Sequence, residues 1–144
     1  MILDKKEIMD LIPHRPPFLF IDSCEIINKG TKGKSFRKFK EDEYFFEGHF
    51  PNNPIVPGVI IVEAMAQTAG VVVSDNLREY NKKTVLFMSI NKAKFRKPVL
   101  PDNTVNFVVE FVNKVRDVYK FYGIAYNNDQ KVSESEFSAM IRHE

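Results

Sequence analysis

The spacing of apolar residues predicts two helices in the first part of the chain. Apolar residues at helical spacing indicate a short helix over Lys5 to Ile12, which Pro13 ends because proline disfavours helical backbone in the residue before it. After Pro57 and Gly58, the segment from Val59 to about Tyr80 lacks proline and predicts one long helix, roughly 33 Å at about 1.5 Å per residue. This helix is apolar almost all round, which is typical of a buried helix.

In much of the remaining chain, apolar and polar residues alternate with a period close to two residues, which predicts strands. The predicted strands are Phe18 to Ile27, Thr31 to Lys40, Thr84 to Lys97, Thr104 to Val115, Val118 to Tyr126, and Lys131 to Arg142. The last four are joined by short segments rich in turn residues, so we expect an antiparallel meander. One buried helix with five or six strands predicts an α+β fold. In such a fold the sheet wraps the helix, or a partner chain covers what the sheet leaves open.

Composition narrows the classes of protein and of site that the chain can form. Its 144 residues, 44% of them hydrophobic and 28% charged, fit one globular domain over residues 1–144. A net charge of +2 argues against a broadly basic surface, and therefore against nucleic acid as the main partner. Cys24 is the only cysteine, which excludes an intrachain disulfide and a cysteine-based metal centre within one chain.

The longest apolar stretch is short for a membrane-spanning helix. It runs from Val59 to Val73, includes Glu63 and Gln67, and falls below the roughly 20 apolar residues that a span needs. The first residues also lack the apolar run of a signal peptide. We therefore expect no membrane span and a cytoplasmic location.

Glu63 is an acidic residue in an otherwise apolar part of the long helix. Burial of a carboxylate costs solvation energy and raises its affinity for protons. At about 100° per residue, Glu63 shares a narrow stripe with Gln67, Gly70 and Ser74. The stripe indicates either an acid with a chemical role or a structural acid bonded to Gln67 or to backbone. The residues alone leave both interpretations open.

His49 lies in a proline-rich loop just before that helix. Pro51, Pro54 and Pro57 restrict the backbone from Gly48 to Gly58, so we expect an extended and stiff loop. Histidine is a natural general base near neutral pH, and a fixed loop would hold it in one place. A loop histidine that only caps a carbonyl group is the alternative.

The start of the long helix offers a site for developing negative charge. The first turn of a helix has free N–H groups and the positive end of the helix dipole, and Gly58 has no Cβ to keep a ligand away. Proline and glycine before a helix are by themselves a weak signal. Together, His49, Glu63 and Gly58 supply a base, an acid and an oxyanion site. These groups suit removal of a proton next to a carbonyl and departure of a hydroxyl.

Three segments of the chain resemble the 3-hydroxyacyl-[acyl-carrier-protein] dehydratases of bacterial fatty-acid synthesis, FabZ type. They are LIPHRPPFLFID (Leu11 to Asp22), GHFPNNPIVPGVIIVEAMAQ (Gly48 to Gln67) and KAKFRKPVLPDN (Lys92 to Asn103). The resemblance runs over nearly the whole chain and implies the hotdog fold, a long helix wrapped by an antiparallel sheet. It also implies homodimers, commonly assembled as trimers of dimers. Each active site would take His49 from one subunit and Glu63 from the other.

The resemblance implies reversible loss of water from a 3-hydroxyacyl thioester, giving the trans-2-enoyl thioester. His49 would take the C2 proton, and Glu63 would protonate the departing hydroxyl or orient a water near it. The amide of Gly58, with that of Val59, would polarise the thioester carbonyl, and the carbonyl of Phe50 or Val59 would help to hold the imidazole or a water. Glu63 stands where FabA-type dehydratase/isomerases have aspartate, which favours dehydration without isomerisation. No metal or redox cofactor is implied, since the thioester already acidifies the C2 proton.

Lys92, Lys94 and Arg96 alternate along a predicted strand, and Lys97 follows them. A solvated strand face is the plainer interpretation. With the resemblance, we favour a docking surface for an acidic acyl carrier protein and its phosphopantetheine arm. By contrast, His14 sits among prolines, and we interpret it as part of a packed turn with a structural role.

Two other functions compete with the dehydratase. A hotdog thioesterase acting on acyl-CoA would use a carboxylate to activate water and would not need His49. A non-catalytic acyl-binding module would tolerate the loss of His49. The product formed from a 3-hydroxyacyl thioester separates the three: enoyl thioester, free thiol, or none.

Overall fold

The computed structural model describes residues 1–79 and 83–143 of the chain. Its helices are α1 (Lys5–Leu11) and α2 (Gly58–Asp75). Its strands are β1 (Ile2–Leu3), β2 (Ser23–Asn28), β3 (Lys32–Lys38), β4 (Lys83–Phe95), β5 (Thr104–Val115), β6 (Val118–Asn127) and β7 (Gln130–His143). A turn of 3₁₀ helix, Tyr44–Phe46, precedes the proline-rich loop.

The described strands form an antiparallel sheet of seven, in the order β1-β2-β3-β5-β6-β7-β4. The predicted fold class is confirmed, with one strand more than the five or six predicted. The additional strand is β1, which has two residues and pairs with β2. The predicted meander holds for β5, β6 and β7. It is wrong for β4, which lies beyond β7 at the edge of the sheet, so the connection from β4 to β5 crosses the sheet.

Helix α2 packs closely against the sheet where the strands carry glycine. Gly33 on β3 contacts Val72, and a Cβ at Gly123 on β6 would lie 2.8 Å from Sδ of Met65. By length and composition, α2 could also cross a membrane, contrary to the expectation that this stretch is too short and too polar. However, 83% of the helix is buried inside the fold, as predicted for a core helix.

Local interactions explain where both helices begin. The Asp4 carboxylate accepts the N–H of Glu7 at 2.9 Å, and the Glu7 carboxylate accepts the N–H of Asp4 at 3.2 Å. At the start of α2, the carbonyl of Pro57 accepts the N–H groups of Ile60 and Ile61 at 3.0 and 3.3 Å. The N–H groups of the first two residues of α2 are therefore left over at the N-terminal end of the helix.

Two predicted boundaries are wrong by about five residues each. Helix α2 ends at Asp75, where the sequence turns polar, and not near Tyr80, which itself lies outside the described residues. Strand β2 begins later than predicted, because the backbone around Phe18 bonds to a side chain and not to a strand. The N–H of Phe20 and the carbonyl of Phe18 are both bonded to the side chain of Gln67, at 2.8 and 3.2 Å.

Candidate active site

A cavity of about 440 Å³ lies beside the first turn of α2. Its lining residues are His49, Ile55, Val56, Gly58, Val59, Ile61, Phe95, Arg96, Lys97, Pro98 and Val99. The cavity brings together three predicted site residues, His49, Gly58 and Val59, and two predicted basic residues, Arg96 and Lys97. Most of the lining is apolar, which suits a ligand with an apolar chain. Among the described residues, no group of three or more His, Cys, Asp or Glu is placed to hold a metal ion.

His49 is held with one ring nitrogen against the backbone. Its Nδ1 lies 2.9 Å from the carbonyl oxygen of Ile55. A carbonyl oxygen only accepts, so Nδ1 carries the proton of the neutral ring and Nε2 keeps a free lone pair. This form of histidine can take up a proton from a ligand. The carbonyl that holds the ring belongs to Ile55 and not to Phe50 or Val59, and a role for either of those carbonyls in holding a water stays a prediction.

The loop that carries His49 folds back on itself and does not run extended as predicted. The N–H of Ile55 donates to the carbonyl of His49 at 2.9 Å. Phe50 and Asn53 exchange backbone hydrogen bonds of 3.3 and 3.0 Å. The ring of Phe50 also stacks on the imidazole, with the ring centroids 4.2 Å apart. These contacts hold the imidazole in one orientation.

The first two N–H groups of α2 are available to a ligand. Those of Gly58 and Val59 make no hydrogen bond to another residue within the described part of the chain. Both residues line the cavity that contains His49. Free amides at the positive end of a helix stabilise an oxygen atom that gains negative charge. The placement of both residues therefore fits the oxyanion role expected of them.

Glu63 lies on α2 but outside the lining of this cavity. Its Oε2 accepts a hydrogen bond of 3.0 Å from Nε2 of Gln67 and lies 3.5 Å from Nε2 of His14. Burial raises the pKa of the Glu63 carboxyl, and the hydrogen bond from Gln67 opposes part of the rise. A carboxyl with a raised pKa keeps its proton closer to neutral pH and can serve as an acid. In one chain, the predicted acid therefore lies outside the cavity of the predicted base.

Gln67 is fully buried and uses its whole amide group in hydrogen bonds. Its Oε1 accepts the N–H of Phe20 at 2.8 Å, and its Nε2 donates to the carbonyl of Phe18 at 3.2 Å and to Glu63 at 3.0 Å. The hydrogen bond between Glu63 and Gln67, which the sequence analysis gave as the structural alternative, is thus present. Gln67 connects α2 to the segment before β2 and fixes one oxygen of Glu63.

Gln67→Leu is expected to lower the free energy of unfolding by about 2–4 kcal/mol. Leucine is similar in size but leaves the buried N–H of Phe20 and the partly buried carbonyl of Phe18 unpaired, and a buried group without a partner costs about 1–3 kcal/mol. Chemical denaturation measures the difference. Ser74→Ala is the control on the same stripe, because the buried Ser74 hydroxyl has no partner among the described residues to lose. A similar loss in both variants would contradict the assigned role of Gln67.

Lys92, Lys94 and Arg96 do not form the single strand face that their alternation predicted. A bulge in β4 beside Lys92, which has a φ of 53°, interrupts the pairing with β7. Lys94 follows the bulge, and β4 ends before Arg96 and Lys97. These last two residues contribute to the cavity wall, and Arg96 also pairs with Glu134 at 3.2 Å.

Two contributors to the site, Ile55 and Phe95, were missed by the sequence analysis. Ile55 contributes a backbone carbonyl, which no side-chain pattern could reveal. The ring of Phe95 lies 2.7 Å from where a Cβ of Gly58 would be. His14, interpreted as structural, lies against Glu63. The contacts of Phe95 and His14 join segments that are distant in the sequence, so periodicity gave no signal of them.

Relatives of known function cover nearly the whole chain. The family model described as FabA-like domain matches residues 12–136. The 3-hydroxyacyl-[acyl-carrier-protein] dehydratase FabZ of Caulobacter vibrioides (strain NA1000 / CB15N) is 41% identical over 140 residues, which are 96% of this chain and 88% of that protein. The protein of the same name from Granulibacter bethesdensis is 44% identical over 141 residues, which are 97% of this chain and 83% of that protein.

Solved structures with little sequence identity share the fold. The dehydratase heterocomplex ApeI:P of Xenorhabdus doucetiae matches with a TM-score of 0.77 at 12% identity, over 92% of this chain and 89% of that one. A sigma28-regulated virulence protein of Campylobacter jejuni matches with a TM-score of 0.70 at 11% identity, over 95% and 96% of the two chains. At such identities the likeness concerns the fold alone.

Proposed function

The chain belongs to the FabA-like family, and from this membership we propose that it is a 3-hydroxyacyl-[acyl-carrier-protein] dehydratase of the FabZ type. The proposal places it, as one hotdog domain over residues 1–144, in the elongation cycle of type II fatty-acid synthesis in the cytoplasm. The observation that carries it is the cavity lined by both His49 and the free amides of Gly58 and Val59. A base and an oxyanion site on one cavity suit removal of a proton next to a thioester carbonyl.

The proposed reaction combines removal of the C2 proton with departure of the 3-hydroxyl. Nε2 of His49 takes the C2 proton, and the amides of Gly58 and Val59 stabilise the negative charge that moves onto the thioester oxygen. Glu63 gives its proton to the 3-hydroxyl. The C3–O bond then breaks with its electron pair on oxygen, water leaves, and the C2–C3 double bond forms. The chemistry needs no cofactor, because the thioester itself acidifies the C2 proton.

Two copies of the chain build each active site in this proposal, with His49 from one copy and Glu63 from the other. The support within one chain is that Glu63 does not line the cavity of His49. A homodimer with two equivalent sites supplies both groups to each cavity. Assembly of three such dimers, as the resemblance implies, belongs to the same proposal.

The free edge of β4 suits pairing between two copies. This strand has 13 residues, and β7 is its only partner among the described strands. Exposed apolar side chains on it are Leu86, Phe87, Met88, Ile90 and Phe95, and Val59 on α2 is 75% exposed. A long, apolar and unpaired strand edge is a template for pairing with another chain. The edge therefore supports the proposed homodimer.

Positive charge at the cavity supports docking of an acyl carrier protein. Arg96 and Lys97 line the cavity, and Lys92 and Lys94 are exposed on the strand that leads to it. An acidic carrier would be steered to this surface by opposite charge, which raises association rates more than affinity. The phosphopantetheine arm would then enter beside Arg96 and Lys97.

The product formed from a 3-hydroxyacyl thioester on an acyl carrier protein tests the proposed function. A dehydratase gives the absorbance of a conjugated enoyl thioester and releases no free thiol. Release of free thiol would instead assign a thioesterase, and binding without turnover would assign an acyl-binding module. Either of these outcomes overturns the proposal.

Gly58→Ala is expected to lower kcat/KM for this reaction about tenfold, while the protein stays folded. An added Cβ would lie 2.7 Å from Cε1 of Phe95, so the ring must move within the cavity beside the amide that holds the thioester oxygen. Steady-state kinetics measure the change. Gly48→Ala is the control, because a Cβ there meets nothing within 4 Å. An equal loss in the control would refute this explanation.

A further inference from the structure

His14 is a partly buried histidine beside Glu63 that the proposed mechanism does not use. Its side chain is 13% exposed, and its Nε2 lies 3.5 Å from Oε2 of Glu63. Its other ring nitrogen, Nδ1, is buried without a hydrogen-bond partner among the described residues. A buried polar atom without a partner costs about 1–3 kcal/mol. Because the unpaired Nδ1 makes a histidine costly at this position, the contact between Nε2 of His14 and Glu63 is expected to have a role.

The hydrogen bonds of Gln67 determine which oxygen of Glu63 is already occupied. Oε1 of Gln67 accepts the N–H of Phe20, so its NH₂ group is the side that donates to the Phe18 carbonyl and to Glu63. Oε2 of Glu63 therefore receives an N–H group at 3.0 Å. Within the described part of the chain, no group donates a hydrogen bond to Oε1 of Glu63. Oε1 is thus the oxygen that is free to exchange a proton with a ligand.

The same carboxylate determines the tautomer of His14. With the transferable proton on Oε1, Oε2 carries no hydrogen, and a ring nitrogen next to such an oxygen must carry one itself, since two lone pairs repel each other. Nε2 of His14 therefore carries the proton, and Nδ1 is the bare nitrogen. The contact of 3.5 Å is longer than a formed N–H···O bond, and acid–base contacts of this kind tighten when substrate binds.

We propose that His14 is a positioning residue for Glu63. In this arrangement Nε2–H of His14 and the amide of Gln67 both donate to Oε2, which leaves the transferable proton on Oε1. During dehydration that proton moves from Oε1 to the 3-hydroxyl as the C3–O bond breaks, and the water formed carries it away. The inference deepens the proposed function and rests on it for its kinetic part.

Among the residues that the structure describes, few charges surround His14 and Glu63. On the segment packed against α2, Arg15 is the charged neighbour of His14, and its guanidinium donates to the carbonyls of Ile12 and His14 at 2.9 and 2.7 Å. Burial, followed by the charge of Arg15, lowers the pKa of His14, so the ring is neutral near neutral pH. Glu63 has the neutral amide of Gln67 as its other partner. In the proposed dimer, His49 of the second copy would lie across the substrate from Glu63.

Two variants of the full chain separate positioning from packing. His14→Gln keeps an N–H donor near the place of Nε2, whereas His14→Leu has similar size and no donor. We expect His14→Leu to lower kcat about tenfold with little change in KM. His14→Leu should also raise the pKa of Glu63, because the carboxylate loses a donor that stabilises it. The limb of the pH–rate profile that belongs to Glu63 should therefore shift toward higher pH. In His14→Gln, this limb should lie at the same pH as in the unaltered protein, and kcat should lie within about threefold of the unaltered value. Equal losses in both variants with an unmoved limb would overturn the inference.

Nitrogen-15 NMR of the imidazole gives a readout that does not depend on turnover. We expect the Nε2–H tautomer for His14, and a change of its ring resonances in Glu63→Gln. An Nδ1–H tautomer, or no response to Glu63→Gln, would overturn the inference. If the unaltered protein forms no enoyl thioester, the proposed function fails, and the NMR result alone decides whether the contact exists.

Discussion

His49→Ala is expected to reduce the rate of enoyl thioester formation about 1,000-fold, the largest loss from any single substitution considered. The variant lacks the ring nitrogen that takes the C2 proton. The amides of Gly58 and Val59 remain in place to stabilise the thioester oxygen, and the cavity keeps its apolar lining. We therefore expect kcat to fall far more than KM changes. The absorbance of the enoyl thioester, followed at saturating substrate, measures the rate.

Phe50→Leu is the matched control for this substitution. It removes the ring stacked on the imidazole at 4.2 Å but leaves His49 and its bond to Ile55. A stacked contact contributes about 0.5–1.5 kcal/mol, so we expect the rate to fall less than about tenfold. Circular dichroism would establish that both variants are folded. More than a tenth of the activity left in His49→Ala would mean that another group is the base.

Glu63→Gln is expected to lower kcat for dehydration about 100-fold. Glutamine keeps the size of the side chain and can accept the bond from Gln67, but it has no acidic proton to give to the 3-hydroxyl. In the unaltered protein, the rate should fall as pH rises through the pKa of Glu63, which burial raises. The residual rate of the variant should lack this decline. A pH profile of kcat for both proteins tests the assignment.

Stability measurements separate the chemical role of Glu63 from its role in folding. Its pKa is higher in the folded protein than in the unfolded chain, so the folded state holds a proton that the unfolded chain has lost. Ionisation of Glu63 therefore destabilises the fold as pH rises from the unfolded pKa through the raised folded pKa. Glu63→Gln should be at least as stable as the unaltered protein above the unfolded pKa, with a margin that grows as pH rises through the raised folded pKa and is constant beyond it. A marked loss of stability in chemical denaturation would attribute the lost activity to unfolding.

The fold could be predicted from the sequence where burial follows a local period. Strand β5 has the predicted bounds, Thr104 to Val115, because its alternating apolar residues bury one face. The apolar run from Phe18 predicted a strand, but its backbone bonds to Gln67, which lies far along the chain. The edge position of β4 depends on pairing between distant strands, for which the sequence carries no local signal.

In the candidate site, too, features that depend on adjacent sequence could be predicted and contacts between distant segments could not. His49 and Gly58 belong to one loop and the helix that follows it, so their common cavity could be expected from adjacent sequence. The apolar neighbours of Glu63 predicted its burial, and burial does raise its pKa. The contacts of His14 and Phe95 could not be predicted, because they depend on how the chain folds back on α2.

A mixture of two inactive variants, His49→Ala and Glu63→Ala, tests most directly whether the active site is shared between two chains. In a mixed dimer, one site combines the intact His49 of one chain with the intact Glu63 of the other, and the second site lacks both. After random exchange of subunits about half of the dimers are mixed, so recovery of about one quarter of the unaltered dehydratase activity is predicted. No recovery in a sample shown to contain mixed dimers would contradict a shared site.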